Sequence, residues 1–394
     1  MKDQGSVESR LILLVGSNPL PNYLSACALR PGAITLVYTK ETEQPKDRLK
    51  RVLGRALGAT TIIDEAYVED ATRATTVSAA IRPLMSQATH LNYTGGTKVM
   101  AAHARLAFRD AGGAPDHASY LDEGGPKHEP RLRFDDGNAA PLPADIPLTL
   151  ETVLALHGIT YTPRSVKPPA PTVEDAREIL YKVLANPKLA ETLYTKSNQI
   201  KCFKKPDKAL AEPFRADEHG LRLSLPVFPI EAQLVHLGNR KEKESWFEQW
   251  YKFIGGEWLE VWLGAQIDGL SLAPKPEITV GVNAKRVRPL EVDVAAMRGH
   301  RAYFISCTTD STMHICKSKL FEVAVRSRQL GGDLARAALV CLANRETVAA
   351  LQADIDDVWG ASNTTRVFGL DDIRRWADCT TRPNQHTLKT WLES

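Results

Sequence analysis

The stretch of the chain best suited to chemistry is Leu91–Met100, which reads LNYTGGTKVM. A short apolar run ends in two glycines and passes directly into an alanine-rich segment, Thr97–Asp110, whose pattern predicts a helix. Glycines at such a turn let a ligand approach the main chain, and a helix N-terminus offers N–H groups and a partial positive charge. Two hydroxyls and a lysine add donors and a full charge, so the segment suits a phosphate. The residues concerned are Thr94, Gly95, Gly96, Thr97 and Lys98.

This turn is not a Walker A loop, because the spacing G-x-x-x-x-G-K-[ST] is absent. A tight turn between a strand and a helix, carrying an exposed lysine, has the same residue pattern. The motif taken by itself therefore leaves phosphate binding and a purely structural turn both open.

A second group of chemically capable residues is the pair Glu291 and Asp293 in the apolar run Leu290–Val294. Residues two apart on a strand share a face, so the two carboxylates repel each other unless a cation lies between them. A divalent metal such as Mg²⁺ or Mn²⁺ suits oxygen ligands of this kind. The alternative is an exposed strand face that pairs with Arg286 or Arg288.

A third carboxylate follows an aromatic run in the last part of the chain. Trp258 and Trp262 are four residues apart and predict one face of a helix. Glu260 points away from that tryptophan stripe.

The elements that position the glycine-rich turn alternate between strand and helix over roughly the first 150 residues. Such alternation indicates an open parallel sheet, whose ligands bind beyond the carboxyl ends of the strands. The turn Gly16–Asn18, Thr39 and the segment Thr94–Lys98 all fall at those ends, which supports phosphate binding at one shared crevice. The predicted strands are Leu11–Val15, Ala33–Tyr38, Thr60–Ile63, His90–Tyr93 and Ala118–Leu121, and the predicted helices are Pro21–Leu29, Lys46–Leu57 and Thr97–Asp110.

The rest of the chain divides into a middle and a last part. Residues 151–240 contain a Pro-rich break and a basic stretch, Lys196–Lys208, and we assign them no chemistry beyond a connecting role. Residues 241–394 contain a predicted hairpin at Arg298–His300 and a helix at Lys319–Gly332. The run Ala335–Leu342 fits a helix or a strand, and the strand is more consistent with the fold.

Composition excludes few classes of protein. The 394 residues are enough for two or three domains, and 43% apolar with 25% charged residues is ordinary for a soluble protein. A net charge of +3 neither demands nor excludes a nucleic-acid partner. No apolar run is long enough to span a membrane, and six scattered cysteines without CxxC pairs indicate neither a disulfide framework nor a zinc site. We expect a cytoplasmic protein.

Two sets of motifs resemble a known family. The first part resembles the CRISPR-associated Rossmann fold (CARF), whose ligands are cyclic oligoadenylates, and the last part resembles the restriction-endonuclease-like domain attached to CARF in one effector group. The motifs are VGSNPLPNYL (Val15–Leu24), LVYTKET (Leu36–Thr42), TGGTKVM (Thr94–Met100), GGEWLE (Gly255–Glu260), LEVDV (Leu290–Val294) and KLFEVAVRSRQLGGDLARAALV (Lys319–Val340).

This resemblance implies an α/β protein with an N-terminal Rossmann-like CARF domain (1–150), a small connecting region (151–240) and a C-terminal PD-(D/E)xK-like nuclease domain (241–394). It implies a homodimer in which two CARF domains form one site for a cyclic oligoadenylate, with cyclic tetra-adenylate as the expected ring. Binding would rearrange two nuclease domains that cut DNA, RNA or both. The implied activator-binding residues are Ser17, Asn18, Thr39, Thr94, Gly95, Gly96, Thr97, Lys98 and Met100, the last packing near adenine.

The nuclease motif departs from its relatives, which have an acid on one strand and Glu-x-Lys on the next, as in IECKT. Asp293 supplies the first acid, but the second motif reads ISCTT, with Ser306 in place of glutamate and Thr308 in place of lysine. The chemistry needs carboxylates to hold the metal and a lysine to orient water or stabilise developing negative charge.

Two interpretations follow. In the first, Glu260, Glu291 and Asp293 hold Mn²⁺ or Mg²⁺, and Lys317 or Lys319 replaces the motif lysine; of the two, Lys317 is the predicted catalytic residue. In the second, the domain binds nucleic acid or a partner without cutting, and the protein is a sensor or regulator.

Two further alternatives stay open. Cys307 could act as a nucleophile with His300 or His314 as its base. The CARF pocket could itself be a ring nuclease, in which the bound activator is cleaved by its own 2′-hydroxyl.

Overall fold

The computed structural model describes residues 9–58, 60–86, 88–124, 129–161, 170–201, 214–217, 220–223, 248–285, 290–359, 364–378 and 387–393. Its first sheet has seven strands in the order β3-β2-β1-β4-β5-β6-β7, in which β1 to β5 run parallel and β6 and β7 are antiparallel additions. The strands are β1 (Arg10–Leu14), β2 (Ala33–Tyr38), β3 (Ile62–Tyr67), β4 (Thr89–Asn92), β5 (Ala118–Asp122), β6 (Arg131–Phe134) and β7 (Ala139–Pro141).

Helices cover both faces of this sheet because its central strands are apolar on both sides. In β1, Leu11 and Leu13 pack on one face and Ile12 and Leu14 on the other. The first face carries α1, α2 and α5, and the second carries α3 and α4. The helices are α1 (Leu20–Leu29), α2 (Glu43–Ala56), α3 (Ala74–Ile81), α4 (Lys98–Asp110) and α5 (Leu150–Leu156).

A second sheet of six strands forms the C-terminal part, in the order β15-β14-β13-β12-β11-β8. Strands β8, β11, β12 and β13 are antiparallel, whereas β13, β14 and β15 are parallel. A separate hairpin consists of β9 and β10. The bounds are β8 (Thr160–Tyr161), β9 (Phe214–Asp217), β10 (Gly220–Leu223), β11 (Glu277–Lys285), β12 (Leu290–Arg298), β13 (Arg301–Thr308), β14 (Ala335–Cys341) and β15 (Thr365–Phe368).

Helices also cover the second sheet on both faces. One face packs against α6, α7, α8, α11 and α12, and the other packs against α9 and α10. A π-helical turn, Phe253–Glu257, leads into α8, and short 3₁₀ turns lie at Lys40–Thr42, Arg82–Leu84, Pro115–His117 and Gly332–Leu334. The helices are α6 (Val173–Ala185), α7 (Lys188–Lys201), α8 (Trp258–Asp268), α9 (Met313–Gly331), α10 (Arg345–Trp359), α11 (Leu370–Ala377) and α12 (Thr387–Leu392).

The two sheets share one continuous hydrophobic core. Leu24 of α1 and Leu53 of α2 belong to the same buried cluster as Ala295 of β12, Phe304 of β13 and Leu330 of α9. The N-terminal and C-terminal halves are therefore packed against each other over an apolar interface.

The predicted α/β fold class is confirmed, with a parallel sheet in the first part and a mixed sheet in the last. Helix α3 is an addition that the sequence did not predict. In the middle region, α6 and the start of α7 pack in the C-terminal hydrophobic core, and β8 pairs with β11 at the edge of the C-terminal sheet. These described elements are therefore part of the C-terminal half. Within the described ranges, no helix is both long and apolar enough to cross a membrane.

Candidate functional site

Three loops lie together at the carboxyl edge of the first sheet: Gly16–Asn18 after β1, Thr39 after β2 and Tyr93–Thr97 after β4. The loops after β1 and β4 are in contact, since a Cβ atom added to Gly16 would lie 3.1 Å from the amide nitrogen of Gly96. The fold therefore brings the predicted loops to one edge.

The turn between β4 and α4 depends on its two glycines. A Cβ atom on Gly95 would overlap the carbonyl oxygen of Leu14, and it would lie 2.8 Å from Oδ1 of Asn22. Asn22 is fully buried and donates a hydrogen bond from Nδ2 to that same carbonyl, at 2.9 Å. Gly96 has φ +76°, a conformation that favours glycine. The main chain of this loop is consequently held close to the end of β1.

The two threonine hydroxyls of the turn hold the loop in shape. Thr94 donates from Oγ1 to Oδ1 of Asn92 (2.8 Å) and accepts from the backbone N–H of Leu121 (2.6 Å). Thr97 caps α4 by accepting from the backbone N–H of Met100 at 3.1 Å. Lys98, in the first turn of α4, is exposed to solvent.

The other predicted activator-binding residues have different surroundings. Ser17 is exposed, Asn18 accepts from the backbone N–H of Leu20 at 3.1 Å, and Thr39 is buried with its N–H donated to Oγ1 of Thr42 at 3.0 Å.

Met100 requires a correction. Its side chain is 1% exposed and packs in the core against α3, with Sδ directly beneath Gly96. It therefore supports the loop from the inside and does not present a surface to adenine.

A cavity of about 910 Å³ opens in the C-terminal half. It is enclosed by α7, the π-helical turn, α8, the strands β12 and β13, and the first turns of α9. Glu260 and Glu291, two of the three predicted carboxylates, line it together with Lys319, Cys307 and Thr308.

Asp293 lies against the wall of this cavity but is turned inward. It is 7% exposed, and its Oδ2 accepts hydrogen bonds from Oγ of Ser306 (2.9 Å) and from the backbone N–H of Cys307 (2.6 Å). Ser306, at the position where the resemblance leads us to expect glutamate, thus fixes the first motif acid in place. In the described part of the chain, no group of three or more His, Cys, Asp or Glu side chains could hold a metal ion, so the predicted trio Asp293, Glu260 and Glu291 is not assembled as a three-ligand set.

Two of the three predicted carboxylates still have the chemistry that a hard divalent cation takes. Mg²⁺ is commonly held by one or two carboxylates, with water and substrate phosphates completing its shell. Glu260 and Glu291 open onto the same cavity and supply two such carboxylates.

Burial raises the pKa of the Cys307 thiol well above its ordinary value, and the charges of Asp293 and Glu260 raise it further, while Lys319 opposes them. These three charged groups therefore act on one atom and lie close together. A thiol that stays protonated is a poor nucleophile. His300 binds the carbonyl of Pro143 at 2.8 Å, beyond the other end of β13. This geometry disfavours the cysteine alternative.

The two candidate lysines face different ways on α9. Residues two apart on a helix do not share a face. Lys317 points at α10, where its Nζ is 2.7 Å from Oδ2 of Asp354, whereas Lys319 lines the cavity. Of the two lysines that the sequence offered, Lys319 is therefore the one that the fold brings to the cavity.

Sequence reasoning missed the contribution of α7 and of the π-helical turn. Lys188 and Tyr194 of α7 line the cavity, as does Lys252, just before the turn. A Cβ atom on Gly255 would overlap Oγ of Ser197, so that glycine lets α7 pack against the turn. The paired glycines ahead of Glu260 were the available signal. Arg286, Arg288 and residues 202–208 of the basic stretch lie outside the described residues.

Comparison with known proteins places this architecture among solved structures. No protein-family profile and no curated protein matches the chain. Can2 from Sulfobacillus thermosulfidooxidans, in complex with cyclic tetra-adenylate, matches with a TM-score of 0.63 and 16% identity over 94% of this chain and 97% of that one. Protein VC1899 from Vibrio cholerae matches with the same TM-score and identity over 95% and 97%.

A third match is a type III CRISPR defence DNA nuclease activated by cyclic oligoadenylate. Its TM-score is 0.53 at 19% identity, over 85% of this chain and 45% of that chain. At these identities the likeness establishes a shared fold. The chain has the two-part α/β architecture of Can2 and VC1899 along nearly its whole length, and the predicted resemblance is confirmed at the level of fold.

Proposed function

We propose that the protein is a cyclic oligoadenylate-activated, metal-dependent nuclease of type III CRISPR antiviral defence, acting in the cytoplasm. The observation that carries the proposal is the glycine-rich turn at the carboxyl edge of the first sheet, in a fold shared over 94% of the chain with Can2 bound to cyclic tetra-adenylate. Cyclic tetra-adenylate is the activator we expect.

In this proposal the activator binds at the loops of the first sheet. The N–H groups at the start of α4 and the backbone of Gly95 and Gly96 bind phosphate, and exposed Lys98 contributes its charge. A cyclic tetra-adenylate ring has two-fold symmetry, so two copies of the chain in a homodimer would each contact one half of it.

Cutting takes place in the cavity of the C-terminal half. Glu260 and Glu291 would hold Mg²⁺ or Mn²⁺, and Asp293 places a third carboxylate behind the wall of the site. The metal would supply a Lewis acid for activating water and for offsetting charge on the reacting phosphate. Lys319 stabilises the developing negative charge. Lys188, Lys252 and Tyr194 line the approach and suit the backbone and bases of a DNA or RNA strand.

The direct test uses purified full-length protein, cyclic tetra-adenylate, Mn²⁺, supercoiled plasmid and labelled single-stranded RNA. We expect cutting only when activator and metal are both present, and EDTA should abolish it. Calorimetry with each ring size of cyclic oligoadenylate identifies the activator. Absence of binding to every ring would overturn the proposal.

A second candidate function is a sensor that binds the same activator without cutting. The observations that favour it are Ser306 and Thr308 in place of the motif glutamate and lysine, and the inward-turned Asp293. Activator binding by calorimetry, together with intact plasmid and intact RNA under all metals tried, would support the sensor over the nuclease.

A further inference from the structure

The C-terminal end of α9 contacts the carboxyl edge of the first sheet. After α9 the chain makes the 3₁₀ turn Gly332–Leu334. Glu123, one residue beyond β5, accepts the backbone N–H of Asp333 on Oε2 at 3.0 Å. Gly332 has φ +57°, and a Cβ atom there would lie 2.9 Å from Nδ2 of Asn18 and 3.4 Å from Oε2 of Glu123. The loops after β1 and β5 therefore both touch this turn.

This junction leaves no spare room. A Cβ atom on Gly331 would lie 2.7 Å from Cβ of Ala335 and 3.9 Å from Cδ2 of Leu20. Leu20 begins α1, directly after the loop that contains Ser17 and Asn18. A shift of that loop would press on the end of α9.

The other end of α9 forms part of the cavity wall. Thr312, Ile315 and Lys319 line the cavity. At 1.5 Å per residue, Lys319 and Gly332 are about 20 Å apart along the helix axis. Between them Leu320 and Leu330 are buried in two different parts of the core, so the helix is packed along its length.

Glu123 lies in an environment that makes its ionised form unfavourable. Burial is the largest cause that raises the pKa of Glu123, and the charge of Asp333 also raises it, whereas the N–H groups of Asp333 and Leu334 and the charge of Arg301 lower it. The pKa that results is about 7. Arg336, 1% exposed, donates from Nη1 to the carbonyl of Asp333 at 2.8 Å. A costly carboxylate placed at a junction between two halves is a candidate for a functional role.

We propose that Glu123 is a positioning residue for the cavity: its carboxylate fixes the C-terminal end of α9 and, through the helix, the place of Lys319. When the loops after β1 and β5 move, α9 then shifts with them, and Lys319 in the cavity wall changes position. The inference rests on the proposed function in one respect, since it takes cyclic tetra-adenylate as the ligand that moves the loops.

The first test needs neither ligand nor activity. Hydrogen exchange on the full-length protein should show the amides of Asp333 and Leu334 exchanging about tenfold faster in Glu123→Ala. Peptides covering residues 312–319 should also exchange faster. Glu123→Gln keeps an oxygen acceptor and should restore most of the protection. Glu69→Ala, an exposed position beyond β3 at the same edge, is the matched control and should change neither segment.

The second test uses cutting. With cyclic tetra-adenylate and Mn²⁺, Glu123→Ala should bind the ring as the parent does but lose about tenfold in kcat at unchanged KM. Unchanged exchange at 312–319 in Glu123→Ala overturns the proposal, even when 333–334 respond. A parent protein that neither binds the ring nor cuts overturns the proposed function instead, and the exchange experiment still decides the role of Glu123.

Discussion

Gly95 occupies a position where one methyl group has no room. Because a Cβ atom there would overlap the carbonyl of Leu14, Gly95→Ala must push the loop away from β1. We predict loss of cyclic tetra-adenylate binding, measured by calorimetry, with a lowered unfolding free energy in urea. Gly54→Ala is the matched control, since nothing lies within 4 Å of its added methyl in α2 and alanine favours helix by roughly 0.5–1 kcal/mol. Equal binding by the Gly95 and Gly54 variants would contradict the assignment.

The two lysines of α9 allow an equally direct comparison. Lys319→Met should lower activator-dependent cutting by about 100-fold, because a charge in the cavity that stabilises the reacting phosphate is lost. Lys317→Met removes an exposed ion pair with Asp354 and a cation–π contact with Phe321, neither of which lines the cavity, and should leave the cutting rate within a factor of two or so. The measurement is the initial rate on labelled substrate at saturating activator. A larger loss of cutting in Lys317→Met than in Lys319→Met would instead make Lys317 the catalytic lysine.

At the scale of elements, β4 contains a half-buried titratable group close to the glycine-rich turn. Burial is the largest cause that lowers the pKa of His90, and the charge of neighbouring His117 also lowers it, while the charge of Asp116 opposes them. The pKa that results is about 4. An unfolded histidine takes up its proton near pH 6.5. Between pH 6.5 and 4 the unfolded chain therefore binds more protons than the folded chain, and stability falls as the pH falls.

Urea unfolding at pH 7 and pH 5 checks this expectation. The parent should lose unfolding free energy on acidification, and His90→Gln should lose less, because its side chain does not titrate. Ring nitrogen Nε2 of His90 lies 2.7 Å from Oγ of Ser119, and glutamine can keep a polar contact there. An identical loss in both proteins would show that other groups govern acid stability.

The elements also show what the sequence could and could not predict. The apolar run Leu11–Val15 predicted a strand, because burial on both faces leaves a continuous apolar signature. The run Ala335–Leu342 fitted a helix or a strand, and only its place in the expected fold favoured the strand. Side-chain direction was harder. Asp293 and Glu291 share a strand, yet only Glu291 lines the cavity, because Asp293 is held inward by Ser306 and the Cys307 amide. Pairing across β12 and β13 decides this outcome, and no local pattern records it.

At the scale of the whole molecule, the shared core ties the stability of the two halves together. All seven tryptophans lie at or beyond Trp246, so tryptophan fluorescence reports on the C-terminal half alone. Leu24→Ala is a change in the N-terminal helix α1. It should nevertheless lower the unfolding free energy by about 2–5 kcal/mol, and the urea midpoint detected by tryptophan fluorescence should fall accordingly. A midpoint that stays in place, with a separate early transition by circular dichroism, would show independent domains.

The packing of α9 has a consequence for how this chain can change over time. Substitutions on the outer side of the helix, such as at exposed Arg328, disturb neither of its fixed ends. A single inserted residue would instead rotate one end of α9 by about 100° relative to the other and lengthen the helix by about 1.5 Å. Lys319 and the Gly332 turn could then not both keep their present partners. Homologues that keep both ends fixed should therefore vary in the residue types along this helix but very little in its length.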